Sequence, residues 1–317
     1  YGRAVAAGDD RARLRRQSWY GLKAPLKRLL ALRLPHFLLR QALVLRPDLR
    51  RGGRLPAPSH LREVEGRAGS ARFVMLDPAR CEIAKELYWG GGRRPRPEDA
   101  LAVEVFAALA REARVALDVG AYTGLFTLVA TAVRPELEAH AFEIVPEVFK
   151  ALLDNCVRND VLHRVRLHHE GIGAPGATVR VGIGRGGSAL PSFYSTRMRF
   201  DEGCLVRLRS LDSLLAELPE GPTVMKVDVE GTEEEVLRHG QRFLAERRPK
   251  ILCEVLAGVA DPAALEALLA PHGYRWYLVT ETVLEPRERL EPHPRFRDWL
   301  FTTRTPEELA KLSVGVA

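Results

Sequence analysis

The run Val115-Ala-Leu-Asp118-Val-Gly120-Ala-Tyr-Thr-Gly124 constrains this chain more than any other ten residues. Its first half is apolar and short enough for a buried strand, closed by an acidic residue. Two glycines then break the chain, and Leu125-Phe-Thr-Leu-Val-Ala-Thr-Ala-Val133 has the composition to begin a helix. A strand that turns through glycines into a helix leaves backbone N–H groups and bare backbone facing a ligand. The spacing is D-x-G-x-x-x-G, not the G-x-G-x-x-G that receives a dinucleotide pyrophosphate. A leading Asp and one fewer glycine suit a ligand that carries an ammonium group and no phosphates.

Two further junctions repeat the pattern. Glu138-Ala-His-Ala-Phe142 reads as a second strand. Glu143 closes it about 20 residues past the glycines, where a doubly wound sheet places the carboxylate that holds ribose hydroxyls. Pro146 then opens a helix that runs to Asn155. In Val224-Met-Lys226-Val-Asp228-Val-Glu230-Gly231, apolar and charged residues alternate, and Glu233, Glu234 and Glu235 follow as the acidic first turn of a helix. Charges inside a strand are costly if buried unpaired, so Lys226, Asp228 and Glu230 near a strand's carboxyl end mark a site. The ligand that fits all three junctions is S-adenosylmethionine (SAM).

The order of these segments resembles the FkbM family of SAM-dependent methyltransferases. DVGAYTG (118–124), AFEIVPEVFKALLDN (141–155), VRLRSLDSLL (206–215), MKVDVEGTEEEVLRHG (225–240) and KILCEVL (250–256) carry the likeness, which spans residues 80 to 303. The K-x-D-x-E-G-x-E run is its most specific part. Leu87-Tyr-Trp-Gly-Gly-Gly92 and Asp298-Trp-Leu-Phe-Thr302 are weaker flanks. The resemblance implies a class I methyltransferase fold: a doubly wound, mostly parallel seven-stranded α/β sheet. It also implies a hydroxyl acceptor. Where the family has Asn-x-Ala after its third strand, this chain has His169-Glu170-Gly171, the positions that would meet the adenine.

Strand candidates recur at 115–119, 138–142, 165–169, 177–182, 204–209, 223–229, 250–256, 274–280 and 298–303, with a further strand at Arg72 to Leu76. Helical patterns cover Arg80 to Tyr88 and Pro97 to Ala113. Such alternation predicts crossover helices on both faces of a parallel sheet. The pair 177–182 and 204–209 has no helix between its members and predicts an antiparallel insertion bracketing a flexible Gly184–Ser188 loop near the site. Residues 274–280 and 298–303 would supply the last, hairpin-like strands that the resemblance implies.

Charge is unevenly placed along the 317 residues. Residues 1–60 carry 14 Lys+Arg against 3 acids, and the other 257 carry 34 against 38, so a basic extension precedes a mildly acidic body. That division predicts a helical extension and linker over 1–60 and a methyltransferase domain over 61–317. Helical spacing of Trp19, Leu22, Leu26, Leu29 and Leu30 is broken by Pro35, and a second apolar run follows from His36 to Leu45. Residues 18–45 either pack on the body or a partner subunit, or touch an anionic membrane surface peripherally. The acidic body argues against a nucleic-acid partner. Four scattered cysteines without a C-x-x-C pair fit a reducing cytoplasm. The amino end is charged without a following apolar stretch, so no secretory leader is expected within the sequence. Abundant Ala and Arg fit a GC-rich bacterial genome. No pattern sets an oligomeric state.

Methyl transfer to a hydroxyl is an in-line displacement that needs alignment and a proton acceptor. Asp228 is the expected acceptor-side base or its positioner, with Glu230 beside it and Lys226 ion-paired to one of them. Asp228, Glu230 and Glu254 together would also suit a divalent cation. His168 and His169 have the right proton affinity for a base, but adjacent strand residues point to opposite faces, so at most one reaches the site. On the cofactor side, Asp118 lies toward the amino-acid end. Gly120, Ala121, Tyr122, Thr123 and Gly124 form the loop, Glu143 holds the ribose, and Ile144, Glu170 and Gly171 approach the adenine. Acceptor choice would reside in loops 89–97, 183–203 and 257–262.

Three other readings remain. A nucleic-acid methyltransferase has only the basic extension in its favour, and no [DNS]-P-P-[FYW] motif is present. A nicotinamide-dependent dehydrogenase is disfavoured by the glycine spacing. A non-catalytic scaffold would have no need of Asp118, Glu143 and Asp228 together.

Overall fold

A computed structural model describes residues 26–43, 55–182, 190, 201–312 and 315. Strands and helices alternate through them as the sequence pattern predicts. The strands are β1 (Glu63–Ala68), β2 (Ala71–Leu76), β3 (Val115–Val119), β4 (Glu138–Phe142), β5 (Val165–His168), β6 (Gly171–Ile172) and β7 (Thr178–Val181). They continue as β8 (Cys204–Arg209), β9 (Thr223–Val227), β10 (Lys250–Glu254), β11 (Arg275–Val279), β12 (Leu284–Arg287) and β13 (Asp298–Thr302).

The main sheet has eight strands in the order β12-β11-β13-β10-β9-β3-β4-β5. β10, β9, β3, β4 and β5 run parallel to one another. β13 is inserted antiparallel between β10 and β11. This is the class I methyltransferase sheet with one strand more than the seven expected. The addition, β12, folds back on β11. Its Leu-Glu-Pro-Arg sequence has no apolar alternation to betray it, and a proline is tolerated because the strand lies at the sheet's edge.

Alternation along each strand divides the core. Val115, Leu117 and Val119 of β3, Met225 and Val227 of β9, and Ile251 and Cys253 of β10 share one cluster, packed with helices Glu233–Arg238, Gln241–Arg247 and Pro262–Leu269. Ala116, Val224 and Leu252 face the other way, into helices Glu82–Trp89, Pro97–Arg111 and Leu125–Val133. Asp118 and Lys226 are paired in register and lie on that second face. The period-2 rule therefore puts both charges beneath the helix that follows the glycine loop.

Several strands end short of the expected limits, and three of these ends shape the cavity edge: β5 stops at His168, β9 at Val227 and β10 at Glu254. Asp228 and Glu230 consequently stand in the turn after β9. The Asp228 N–H still donates to the Val119 carbonyl at 2.9 Å, but Glu230 and Gly231 take left-handed backbone at φ 54° and 95°. The insertion forms as predicted, β7 antiparallel to β8, with β6 on the other side of β8. The hairpin β1–β2 was legible only in its second strand. Its signal is the two-residue Gly69-Ser70 loop, with Gly69 at φ 58°.

In the extension, the helix Arg33–Ala42 contains Pro35 in its first turn, where a missing N–H costs nothing. The helical run is instead interrupted at Ala31-Leu32. His36 anchors this helix: its Nε2 lies 2.9 Å from the Tyr88 hydroxyl, and its ring packs on Trp89. Trp19, Leu22 and the Gly184–Ser188 loop lie outside the described residues, as does 183–200 apart from Leu190. No described helix is long and apolar enough to cross a membrane.

Candidate active site

All three sequence junctions end at the carboxyl edge of the parallel strands, where open α/β sheets bind ligands. A cavity of about 520 Å³ opens there, within the size range of small-molecule sites. Gly120 makes it possible. At φ 81°, a Cβ on residue 120 would stand 1.9 Å from the Asp228 carbonyl oxygen, so only glycine lets the turns after β3 and β9 touch. Tyr122 follows with φ 50°, unusual for a non-glycine residue. It is held because its N–H donates to Glu143 Oε2 at 2.9 Å. The other Glu143 oxygen accepts from the Val145 N–H at 2.7 Å. Burial pushes the Glu143 carboxyl up to about 7, against the pull of those N–H groups.

Across the cavity stands a cluster of ions. Lys226 is 2% exposed, and its Nζ lies 3.0 Å from Asp298 Oδ1 and 3.3 Å from Asp228 Oδ2, with the Phe126 ring beneath it. Burial opposes its charge, but Asp228, Asp298 and Glu254 outweigh burial and hold the ammonium. Arg297 Nη1 meets Glu254 Oε1 at 3.0 Å. Burial, reinforced by Asp228, raises the Glu254 carboxyl well above the usual range. Burial and the Asp228 charge likewise lift Glu230 to about 7. Asp228, Glu230 and Glu254 bring ligand oxygens within 4.8 Å of one another.

A second cluster closes the wall. Arg94 Nε lies 2.6 Å from Glu86 Oε2, and its Nη2 lies 3.0 Å from Asp99 Oδ2. Burial raises both carboxyls, and the two acids together hold the Arg94 charge despite its own burial. Glu86, Arg94, Asp99, Arg297 and Asp298 line the cavity but were not singled out in the sequence. Asp298 was legible in principle: β13 runs antiparallel, so its first residue sits beside the last residue of β10, in the register Glu254↔Asp298.

Of the residues the sequence proposed, Gly120, Ala121, Tyr122, Glu143, Ile144, Glu170 and Gly171 line the cavity. Lys226, Asp228, Glu230 and Glu254 line its other side. Three of the proposed residues, Asp118, Thr123 and Gly124, are not in its lining. Asp118 is 2% exposed, and its Oδ2 accepts from the Thr127 N–H at 2.9 Å and the Thr127 hydroxyl at 2.7 Å. It ties the loop to the following helix, and burial raises it to about 6. The Thr123 hydroxyl lies 3.2 Å from Cys81 Sγ, and Gly124 caps the helix against Leu152. Neither histidine faces the cavity. His168 stacks on Phe142, with its Nε2 3.1 Å from His140 Nδ1, and His169 Nε2 lies 3.1 Å from the Ile144 carbonyl oxygen.

The lining holds nine carboxyl side chains and four basic ones, a balance that repels polyphosphate and attracts a cation. The FkbM methyltransferase domain matches residues 118–276, half of the chain. This chain belongs to the FkbM methyltransferase family. Among solved structures, it is similar to the FkbM methyltransferase of Methylobacillus flagellatus at 19% identity, covering 61% of this chain and 44% of that one, with a TM-score of 0.39. A SAM-dependent methyltransferase from Agrobacterium tumefaciens matches at 10% identity over 77% of this chain and 71% of its own, TM-score 0.42. The precorrin-6y C5,15-methyltransferase of Geobacter metallireducens matches at 14% over 64% and 88%, TM-score 0.35. No curated protein matches the chain.

SAM, the cofactor of this FkbM family, suits the donors present. Its sulfonium and ammonium charges meet an acidic lining, its ribose needs a carboxylate such as Glu143, and its lack of phosphates removes any need for a third loop glycine.

Proposed function

We propose that this chain transfers a methyl group from SAM to a hydroxyl oxygen of a small molecule or glycan, with Glu230 taking the hydroxyl proton. The observation that carries the reading is Glu230 itself. It stands on a left-handed backbone turn at the cavity wall, with its proton affinity raised to about 7. A base poised near neutral pH accepts a proton without being permanently protonated, and a strained backbone at a cavity is more often functional than accidental.

SAM supplies an activated methyl group, so the protein's task is alignment and proton removal. Glu143 and the Gly120–Tyr122 backbone would hold the nucleoside half. The buried Lys226 fixes the half-buried Asp228 carboxylate through an ion pair, and Asp228 in turn helps keep Glu230 basic. Glu86, Arg94, Asp99 and Arg297 present fixed donors and acceptors along the remaining wall, which suits an acceptor rich in hydroxyls. We assign residues 61–317 to this activity and 1–60 to a separate extension. Four free cysteines, three of them buried, suit a reducing compartment such as the cytoplasm.

The test is incubation with methyl-¹³C SAM and a panel of sugars, polyols and phenols, read by the carbon chemical shift of the product. An O-methyl signal from wild type, lost with Glu230→Gln, is expected. Methylation of nitrogen or carbon, or full activity in the variant, would overturn the reading.

A second reading places a divalent cation among Asp228, Glu230 and Glu254, favoured by the mutual approach of their oxygens. Charge balance weighs against it. Lys226 and Arg297 already offset two of the four carboxylates in the cluster, and a proton held by Glu254 offsets a third. Activity that survives dialysis against a chelator supports the proton reading; strict dependence on added Mg²⁺ or Mn²⁺ would replace it.

A further inference from the structure

Among the described residues, the extension carries an apolar surface that stands exposed. Leu34, Phe37 and Leu38 are 69%, 56% and 59% exposed. They share the outer face of the helix Arg33–Ala42, at the i, i+3, i+4 spacing. Leu26, Leu29 and Leu32, just before it, are each more than half exposed. Six of the ten large exposed apolar side chains among the described residues thus fall within 13 positions. Contiguous patches of this kind mark docking surfaces, whereas single exposed leucines do not.

The opposite face of the helix is already committed. His36 and Leu43 are buried, and the His36 ring packs against Tyr88 and Trp89. The helix is therefore fastened to the body with its apolar ridge turned outward. Arg33 and Arg40 flank the ridge, Arg40 also hydrogen-bonded to Tyr88, and Lys27 and Arg28 stand in the helical stretch 26–30 before it, all four exposed. From position 11 to 47 the chain has ten Lys and Arg and no acid.

We propose that this face docks on an anionic lipid bilayer, with Leu34, Phe37 and Leu38 entering the headgroup boundary and the basic residues meeting lipid phosphates. Charge complementarity selects this occupant. An isologous contact with a second copy would bring two basic faces together with no acid between positions 11 and 47 to pair them, like charge on like. A bilayer with anionic lipid attracts the same residues while burying the same apolar area. The body beyond residue 60 is mildly acidic, so attraction is confined to the extension and orients the molecule. The helix Glu82–Trp89 lies directly beneath the extension, and its Glu82, Ile83 and Glu86 line the cavity. Docking therefore brings the site close to a bilayer surface, and it does not depend on the methyl-transfer reading.

The test is cosedimentation of the full chain with phosphatidylcholine vesicles and with vesicles containing phosphatidylglycerol, at low and high salt. Binding to the anionic vesicles only, weakened by salt, is expected. Leu34→Ser/Phe37→Ser/Leu38→Ser should abolish it, and Arg33→Ser/Arg40→Ser should weaken it by about tenfold or more. All five residues are surface-exposed, so unchanged thermal unfolding certifies that the variants are folded. Equal binding to both vesicle types, no binding at all, or binding unaffected by the apolar triple would overturn the proposal. A dimer in gel filtration that the triple variant dissolves would also overturn it, and would assign the face to self-association.

Discussion

Replacing Glu143 by Gln separates what this residue does for the fold from what it does for the cofactor. The carboxyl is 7% exposed and accepts the N–H groups of Tyr122 and Val145. Burial raises it from an ordinary 4.5 to about 7. The native state thus holds this proton more tightly than the unfolded chain does. The associated stability is fully present below pH 4.5 and is lost as pH rises through 7. A difference of about 2.5 pH units corresponds to about 3 kcal/mol. Gln removes that slope, but its amide NH₂ must face one of the two backbone N–H donors. A buried donor left without an acceptor costs about 1–3 kcal/mol. Above pH 8 the two effects nearly cancel, so E143Q should unfold within about 2 kcal/mol of wild type; at pH 5 it should be the less stable protein. Cofactor affinity should respond differently. A hydrogen bond to a charged acceptor exceeds a neutral one by about 1–1.5 kcal/mol, so two ribose hydroxyls lose about 2–3 kcal/mol, or about 30- to 150-fold in Kd. Wild-type affinity should also strengthen between pH 6 and 8 as Glu143 ionises, while the variant's stays flat. Calorimetric titration with SAM at both pH values, beside thermal unfolding, reads every term. An affinity within about threefold of wild type, or an unchanged pH dependence, would refute the assignment.

Further expectations concern the opposite wall and the loop. Gly120→Ala adds about 1–2 kcal/mol of left-handed strain and drives its methyl group into the Asp228 carbonyl. Gly124→Ala meets only the tip of Leu152, so titration should find SAM binding far weaker in the first variant than in the second; equal losses would contradict the close approach. Glu230→Gln should lower kcat by about 10²–10⁴. It should also flatten a kcat/KM profile that in wild type rises with pH through about 7, and a rise surviving in the variant would assign the base elsewhere. Lys226→Met leaves Asp228 and Asp298 facing each other without a cation and should cost about 3–5 kcal/mol in chemical denaturation. Adding Asp298→Asn should recover part of that loss, whereas simple additivity would show that the pair is not coupled.

The glycine-loop side of the cavity was legible because local chemistry writes it. Gly120, Tyr122 and Glu143 stand within 24 residues of one another, at turns that glycine and proline punctuate. Lys226 and Asp228 were legible because charges interrupt an apolar alternation. The opposite wall was largely hidden because tertiary pairing creates it. Lys226 and Asp298 are 72 positions apart and meet only because β13 inserts between β10 and β11. Arg94 meets Glu86 and Asp99 across a loop and two helices, with no periodic signal in any of them. Asp118 shows the converse error. Residue type and position suggested a cofactor contact, yet a Thr two residues into the following helix supplies two nearer hydrogen bonds. The extra strand β12 escaped because Leu284 is its one buried residue, and a single apolar position before Glu, Pro and Arg makes no pattern.

An acidic, glycine-floored cavity should admit a phosphate-free cationic nucleoside and refuse a dinucleotide. Isothermal titration of the purified protein with SAM, and in parallel with NAD⁺, distinguishes the two. Saturable SAM binding at one site per chain, weakened by Glu143→Gln, with no heat from NAD⁺, is the predicted result. No SAM binding by protein shown to be folded and free of bound cofactor, or tighter binding of NAD⁺, would contradict it.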